Sequence, residues 1–166
     1  KYPIARFHNI SNNLRFPFDS TQQVYLPYDK FKSQKTNNIF AAMMIFPTNK
    51  ITNHNLIQNM IAHYEPQIES EYSSTSYAAF SIINSGLGNK DMAWKLFKSY
   101  QLIWQGGNFQ TWDKHPDDKE INYYLPAAGS FLQQIIFGFI GMRFDLSGIY
   151  IKPSMPEDWD TIELKN

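Results

Sequence analysis

Two stretches of this chain are apolar on every side, and they constrain the fold more than any other feature. Ile39-Phe40-Ala41-Ala42-Met43-Met44-Ile45-Phe46 lies between Lys35 and Pro47, and Pro126 to Arg143 is almost as free of charge. Ala and Met favour helix over strand, and Pro47 ends the first run. A helix that is hydrophobic all round belongs inside a protein, covered by other elements. The remaining helices must therefore cover these two, and a 166-residue chain has few to offer.

The rest of the sequence reads as helical hairpins. Thr52 resembles an N-cap, followed by Leu56, Ile57, Met60 and Ile61 at helical spacing, with Tyr64-Glu65-Pro66 closing the helix. Ser74 to Asn84 forms a helix with Tyr77, Phe80 and Ile83 on one face, broken by Gly86 and Gly88. Lys90 to Trp104 carries Met92, Ala93, Leu96, Phe97, Tyr100 and Ile103 as its apolar stripe, and Gly106-Gly107 stops it. Residues 1–34, interrupted by Pro3, Pro17 and Pro27, read as irregular or weakly extended with aromatic anchors. Residues 105–124 form a polar loop. Ile149-Tyr150-Ile151 alternates as a short strand, and Ile162-Glu163-Leu164 is a second candidate. Five helices of this kind leave apolar surface uncovered, which suits one part of a larger assembly.

Composition sets the outer limits. Hydrophobic residues make up 43% of the chain and aromatics 16%, too many for a disordered chain. Fifteen basic and fifteen acidic residues cancel, which removes the electrostatic case for nucleic acid or an anionic membrane as partner. No apolar run approaches the roughly 18 residues of a membrane-spanning helix. There is no cysteine, which fits a reducing compartment and equally permits secretion or a vacuolar location. No signal peptide is visible, and the chain opens on Lys1 without an initiator Met, so processing or an expression boundary is expected to have removed something. His8, His54, His63 and His115 show no metal-ligand spacing.

A set of short motifs, in order along the chain, resembles glycoside hydrolase family sixty-five. They are Lys35 leading an apolar helix to Pro47, Tyr64-Glu65-Pro66, Ser73-Ser74-Thr75-Ser76, Gly129-Ser130-Phe131-Leu132-Gln133, Phe137-Gly138-Phe139, Gly141-Met142-Arg143, and the exit Ile149-Tyr150-Ile151-Lys152-Pro153. The resemblance implies an all-α fold: the C-terminal part of an (α/α)6 barrel, residues 1–145, with a small C-terminal β element, residues 146–166. It implies cleavage of a small, trehalose-like α-glucoside with inversion, no metal or organic cofactor, and the missing N-terminal part of the same enzyme as partner. The family's general acid lies in that earlier part.

Inverting cleavage needs a carboxylic acid at the leaving oxygen and, in a hydrolase, a carboxylate that activates water, the two roughly 6.5–9.5 Å apart. In a phosphorylase, phosphate replaces the water. The family's candidate base falls in a stretch that matches Phe109-Gln110-Thr111-Trp112-Asp113-Lys114. Its Glu position holds Lys114, so the carboxylate sits one residue early at Asp113, with Asp117 and Glu120 as alternatives. Asp113 is the expected base, set against a solvated loop acid. Trp112, Lys35 and Glu65 are expected to contact sugar, set against a core Trp, a surface Lys and a helix-end residue. Ser73 and Ser74 match the pair that holds phosphate in the phosphorylases, set against a helix N-cap. The family Gln after Lys35 is Thr36, and Glu71-Tyr72 stands where the phosphorylases carry His. Gly138 and Gly141 are expected to permit close helix packing. Hydrolase, phosphorylase, a non-catalytic sugar-binding or scaffold remnant, and a helical interaction module all stay open at this point.

Overall fold

A computed structural model describes residues 3–28, 53–67, 74–102, 125–145 and 147–163. Lys35, Ser73, Trp112 and Asp113 lie outside the described residues, as do the expected helix up to Pro47 and the loop 105–124.

The described chain is mostly helical. Its helices are α1 (Ile4–Asn13), α2 (His54–Tyr64), α3 (Ser74–Leu87), α4 (Lys90–Leu102) and α5 (Leu125–Gln133), with a 3-10 turn at Glu65–Gln67. Two antiparallel ladders complete it: β1 (Phe18–Asp19) with β2 (Val24–Tyr25), and β3 (Met142–Asp145) with β4 (Gly148–Ile151). The helical expectation holds for α2, α3, α4 and α5, and the expected strand at Ile149–Ile151 is present. Several expectations are corrected. Residues 4–13, read as irregular, are helical. Their apolar residues Ile4, Phe7 and Ile10 recur every third position, and Pro3 sits just before the helix, where its missing N–H costs nothing. The last apolar helix does not run to Arg143. It ends at Phe139, and Met142 and Arg143 belong to β3. No strand forms at Ile162-Glu163, and Leu164 lies outside the described residues.

Helix α3 is the hub. Ala78 and every residue from Phe80 to Ser85 are buried, and α2, α4 and α5 pack about it. Ser76, Ala78 and Ser81 keep its surface low enough for neighbours to approach, and the buried Ser81 hydroxyl donates to the Ala93 carbonyl of α4 at 2.9 Å. On one side, Phe80 and Ile83 meet Ile57, Met60 and Tyr64 of α2 together with Val24 of β2. The Tyr64 hydroxyl donates to the Tyr25 carbonyl at 2.8 Å, tying α2 to the β1–β2 ladder. On the far side of α4, Trp94 and Phe97 stack at 5.3 Å, and Phe139 and Trp159 close the cluster edge-on. The Trp94 indole N–H donates to Asp158 at 3.1 Å, so the C-terminal segment is fastened to α4.

The α3–α4 turn follows from Gly88. Its φ of 84° lies in the left-handed region, and it forms a paired C-terminal cap. The Asn89 N–H donates to the Asn84 carbonyl at 2.9 Å and the Gly88 N–H to the Ser85 carbonyl at 3.0 Å. Gly86, expected to break the helix, stays within it.

Beyond α5 the helix widens. Gln134–Phe139 is a π-helix, and the Ile140 N–H reaches back five residues to the Ile135 carbonyl at 2.9 Å. Gly138 faces Ile82 and Ser85 of α3 at ordinary contact distance, as expected for close packing. Gly141 plays a different part. Its φ is 69°, and a Cβ there would lie 1.8 Å from the Lys152 carbonyl oxygen. The glycine is required by backbone meeting backbone at the root of the hairpin, where the Lys152 N–H donates to the Gly141 carbonyl at 3.1 Å. The Arg143 guanidinium donates to the Phe137 and Met142 carbonyls and so covers the end of the π-helix. Apolar surface stays open where the sequence led us to expect it: Leu125 is 79% and Leu132 56% exposed.

Replacing Gly141 with Ala is expected to lower stability by at least about 2 kcal/mol, because a left-handed φ and a backbone clash act together. Urea denaturation of Gly141→Ala beside Gly129→Ala, an open position with nothing near its Cβ, checks this. Equal midpoints for the two variants would contradict the assignment.

Candidate functional site

Glu65 sits where α2 ends. Its backbone N–H still donates to the Ile61 carbonyl, so the residue keeps helical geometry while its side chain leaves the helix end. Pro66 follows and cannot continue the ladder. The carboxylate is held by α3. The Asn84 carboxamide donates to Glu65 Oε2 at 3.3 Å and to the Phe80 carbonyl at 3.0 Å, and its oxygen accepts from Asn89 Nδ2 at 3.2 Å. Asn84 is buried, and three hydrogen bonds engage its donors and its acceptor. An amide in that state is a fixed support, so Glu65 is aimed by a rigid element.

Two cavities open beside this carboxylate, and Ile61, Glu65 and Met92 line both. The first has a volume of about 530 Å³ and is walled by Pro66 of the 3-10 turn, Tyr77 of α3, and Lys95 and Ser99 of α4. The second, about 700 Å³, adds Asn84, Asn89, Lys90, Asp91 and Glu157. Both volumes fall in the range that holds small ligands. The wall chemistry is mixed. Tyr77, Met92 and Ile61 give apolar surface, while Glu65, Asp91 and Glu157 offer carboxylate acceptors beside the ammonium groups of Lys90 and Lys95. Such a lining suits a polyhydroxylated neutral ligand, whose C–H faces need apolar cover and whose hydroxyls need acceptors.

Of the expected site residues, Glu65 is brought to a cavity. Ser74 is the first residue of α3, one turn before Tyr77 on the same helix, so the N-terminus of α3 stands a turn away from the cavity wall. Lys35, Ser73, Trp112 and Asp113 lie outside the described residues. Several lining residues escaped the sequence reading. Met92 was placed in the core stripe of its helix, yet it is 36% exposed and turned to the cavities, while Ala93, Leu96 and Phe97 form the core. Lys95 and Ser99 follow at helical spacing, a polar stripe that a single sequence presents as ordinary solvated face. Asn84 looked like the end of a helix, and its support of Glu65 depends on a contact across nineteen positions.

Among the described residues burial shifts three titrating groups. It pushes the Tyr64 phenol up to about 12, lowers His63 against a smaller opposing pull from Asp19, and lowers Arg143 against the opposing influence of Tyr150. Among the described residues no group of three His, Asp or Glu side chains is placed to hold a metal ion.

Similarity to known proteins bears on what the cavities serve. The chain is 23% identical over 168 residues to the protein-glucosylgalactosylhydroxylysine glucosidase of Danio rerio, an alignment covering 98% of the chain and 25% of that protein. It is 25% identical over 149 residues to the kojibiose hydrolase of Flavobacterium johnsoniae, covering 82% of the chain and 20% of the relative. It is 23% identical over 133 residues to the kojibiose phosphorylase of Halothermothrix orenii, covering 80% and 16%. These relatives are of glycoside hydrolase family sixty-five type, and the similarity to the first of them runs over nearly the whole chain. The chain spans about a quarter or less of the length of these relatives. No family model matches the chain, and no solved structure matches it. Among the described residues no helix is long and apolar enough to cross a membrane.

Two outcomes follow from the local chemistry. Asn84→Ala is expected to cost about 1–3 kcal/mol, because it strips Glu65 of its support and opens a buried space. Glu65→Gln keeps an acceptor for Asn84 and is expected to cost less than about 1 kcal/mol, both read from urea midpoints. For His63, the folded state prefers the neutral imidazole. Its contribution is complete above the ordinary value of 6.5 and is lost as pH falls below that value through the lowered folded value. Unfolding midpoints should therefore drop on acidification from neutral pH, and His63→Gln should flatten that part of the curve.

Proposed function

We propose that this chain is part of an enzyme that cleaves a small α-glucoside with inversion, and that Glu65 contacts the sugar in the cavities it shares with Ile61 and Met92. The observation that carries this reading is the Glu65 carboxylate, aimed by the buried Asn84 amide at the junction of two ligand-sized cavities. The names of the relatives, glucosidase, hydrolase and phosphorylase, supply the reaction class.

In this reading the helices form the C-terminal part of an (α/α)6 barrel. Asp113 activates water opposite a general acid contributed from outside this chain, Trp112 covers an apolar face of the pyranose, and Lys35 reaches a sugar hydroxyl. Glu65 accepts hydrogen bonds from hydroxyls of the same substrate. It is a binding group, held in place by the hydrogen bond that its carboxylate accepts from Asn84.

Phosphorolysis is the second reading, and one observation favours it. The N-terminus of α3 at Ser74 lies one turn from the cavity wall, and a helix N-terminus attracts anions. There Ser73 and Ser74 would hold inorganic phosphate in place of the attacking water.

The experiment is glucose release by the full-length protein from kojibiose, trehalose, maltose and glucosyl-galactose, with and without phosphate. Release without phosphate supports hydrolysis, and release that requires phosphate supports phosphorolysis. Glu65→Gln is expected to raise KM about tenfold, the loss of one charged hydrogen bond to the sugar. Absence of release from all four glucosides under both conditions would overturn the proposal.

A further inference from the structure

A third cavity lies away from Glu65 and shares none of its lining residues. It is the largest of the three, about 840 Å³, and is enclosed by the end of α1, the β1–β2 ladder and the first turns of α2. One wall is aromatic. Tyr25 meets Phe18 edge to face at 5.1 Å and Phe16 at 6.3 Å. Phe16 and Phe18 keep 39% and 42% of their surface open. Two open phenyl groups about Tyr25, one on β1 and one two residues before it, lose the benefit of burial, a cost that a ligand lying across them removes.

The other wall is made of carboxamides. Asn55 and Asn59 lie one turn apart on the same face of α2, and Asn53 stands at the helix start. The Asn53 oxygen is occupied, accepting from the Asn55 and Leu56 N–H groups, which fixes its amide NH2 at the cavity edge. Gln23 lines the same space from the turn between β1 and β2. Its φ of 56° is unusual for a residue other than glycine, and its side chain donates to the Ser20 carbonyl at 2.7 Å. Left-handed backbone at such a residue persists where the surroundings hold it, and it marks functional loops more often than others.

Among the described lining residues the charged group is Arg15, and no carboxylate takes part. Acid–base cleavage of a glycosidic bond needs carboxyl groups, so the cavity is not a second catalytic centre. Aromatic surface on one side and amides, which both donate and accept, on the other is the chemistry that fits a neutral sugar. From this combination we infer that the cavity between α1, the β1–β2 ladder and α2 is a second carbohydrate-binding site. It takes a neutral glucoside, with Phe16 and Phe18 against the ring faces and Asn55 and Asn59 on the hydroxyls. Asn55 and Glu65 lie ten residues apart on the α2 axis, about 15 Å, so the two sites occupy opposite ends of one helix.

The site stands on its own geometry. Only the use of α-glucosides as probes rests on the function proposed above. The test is titration calorimetry of the full-length protein with kojibiose and with maltose, paired with glucose-release assays. Wild type should show two classes of site. Phe18→Ala should weaken one class at least tenfold, Asn59→Ala should weaken the same class at least threefold, and Phe18→Tyr, which keeps the ring, should stay within twofold of wild type. kcat should be unchanged in all three. A single class of site, or two classes indifferent to Phe18→Ala and Asn59→Ala, overturns the inference. If circular dichroism shows that Phe18→Ala fails to fold, Asn59→Ala and Phe18→Tyr decide it. Turnover with no second class sinks this inference alone, whereas a second class without turnover sinks the proposed activity alone.

Discussion

Helix α3 has no solvated side through its middle, and most of the structure follows from that. Between Phe80 and Ser85 every residue is buried, so each direction must be supplied with a partner. α2 and β2 supply one, α4 another, and the α5–π helix a third. Large side chains all round would hold these neighbours too far apart. Ser76, Ala78, Ser81 and Ser85 resolve this by giving small surfaces where α4 and α5 approach, while Phe80 and Ile83 fill the space toward α2. The cost is a set of hydroxyls out of water. Ser81 finds the Ala93 carbonyl, while the hydroxyl oxygen of Ser85 and both ends of the buried Gln134 amide remain without hydrogen bonds. Each such group opposes folding by about 1–3 kcal/mol.

The candidate site grows from the same helix. Asn84 is in the core because its position on α3 faces inward, and burial obliges it to use its polar atoms. One of those obligations is met by Glu65. A residue whose first duty is to satisfy a buried helix thus directs a carboxylate at two cavities. The Gly88 turn matters for the same reason, since it brings Asn89 back to the Asn84 oxygen and sets the start of α4, whose Met92, Lys95 and Ser99 form the opposite wall.

Much of this was legible in the sequence, for identifiable reasons. The 3.6-residue spacing of Leu56, Ile57, Met60 and Ile61, and of Ala93, Leu96 and Phe97, marks two helices, and Gly88 marks the turn before the second. α1 was hidden because the prolines around it, Pro3, Pro17 and Pro27, and its own Asn residues outweigh a stripe that buries nothing. The end of the last helix was hidden because Gly141 acts through its φ and through the backbone of Lys152, eleven residues away. The motif resemblance led to Glu65, but not to the neighbours that make it a site. Those are polar positions on otherwise core-facing helices, and only the three-dimensional packing distinguishes them from solvated ones.

The π-helical turn at Gln134–Phe139 carries one residue more than a regular helix would use over the same rise. Each residue of an α-helix turns the chain by about 100°. Deleting a single residue within this turn would therefore restore an uninterrupted helix and, in the same step, swing everything after it by over a quarter of a revolution. Phe139 would leave the aromatic cluster, Arg143 would lose the carbonyl of Phe137, and the C-terminal hairpin would meet a different neighbour. The extra residue works as a phase setting: it fixes the azimuth at which the last fifth of the chain is presented to whatever lies beside it.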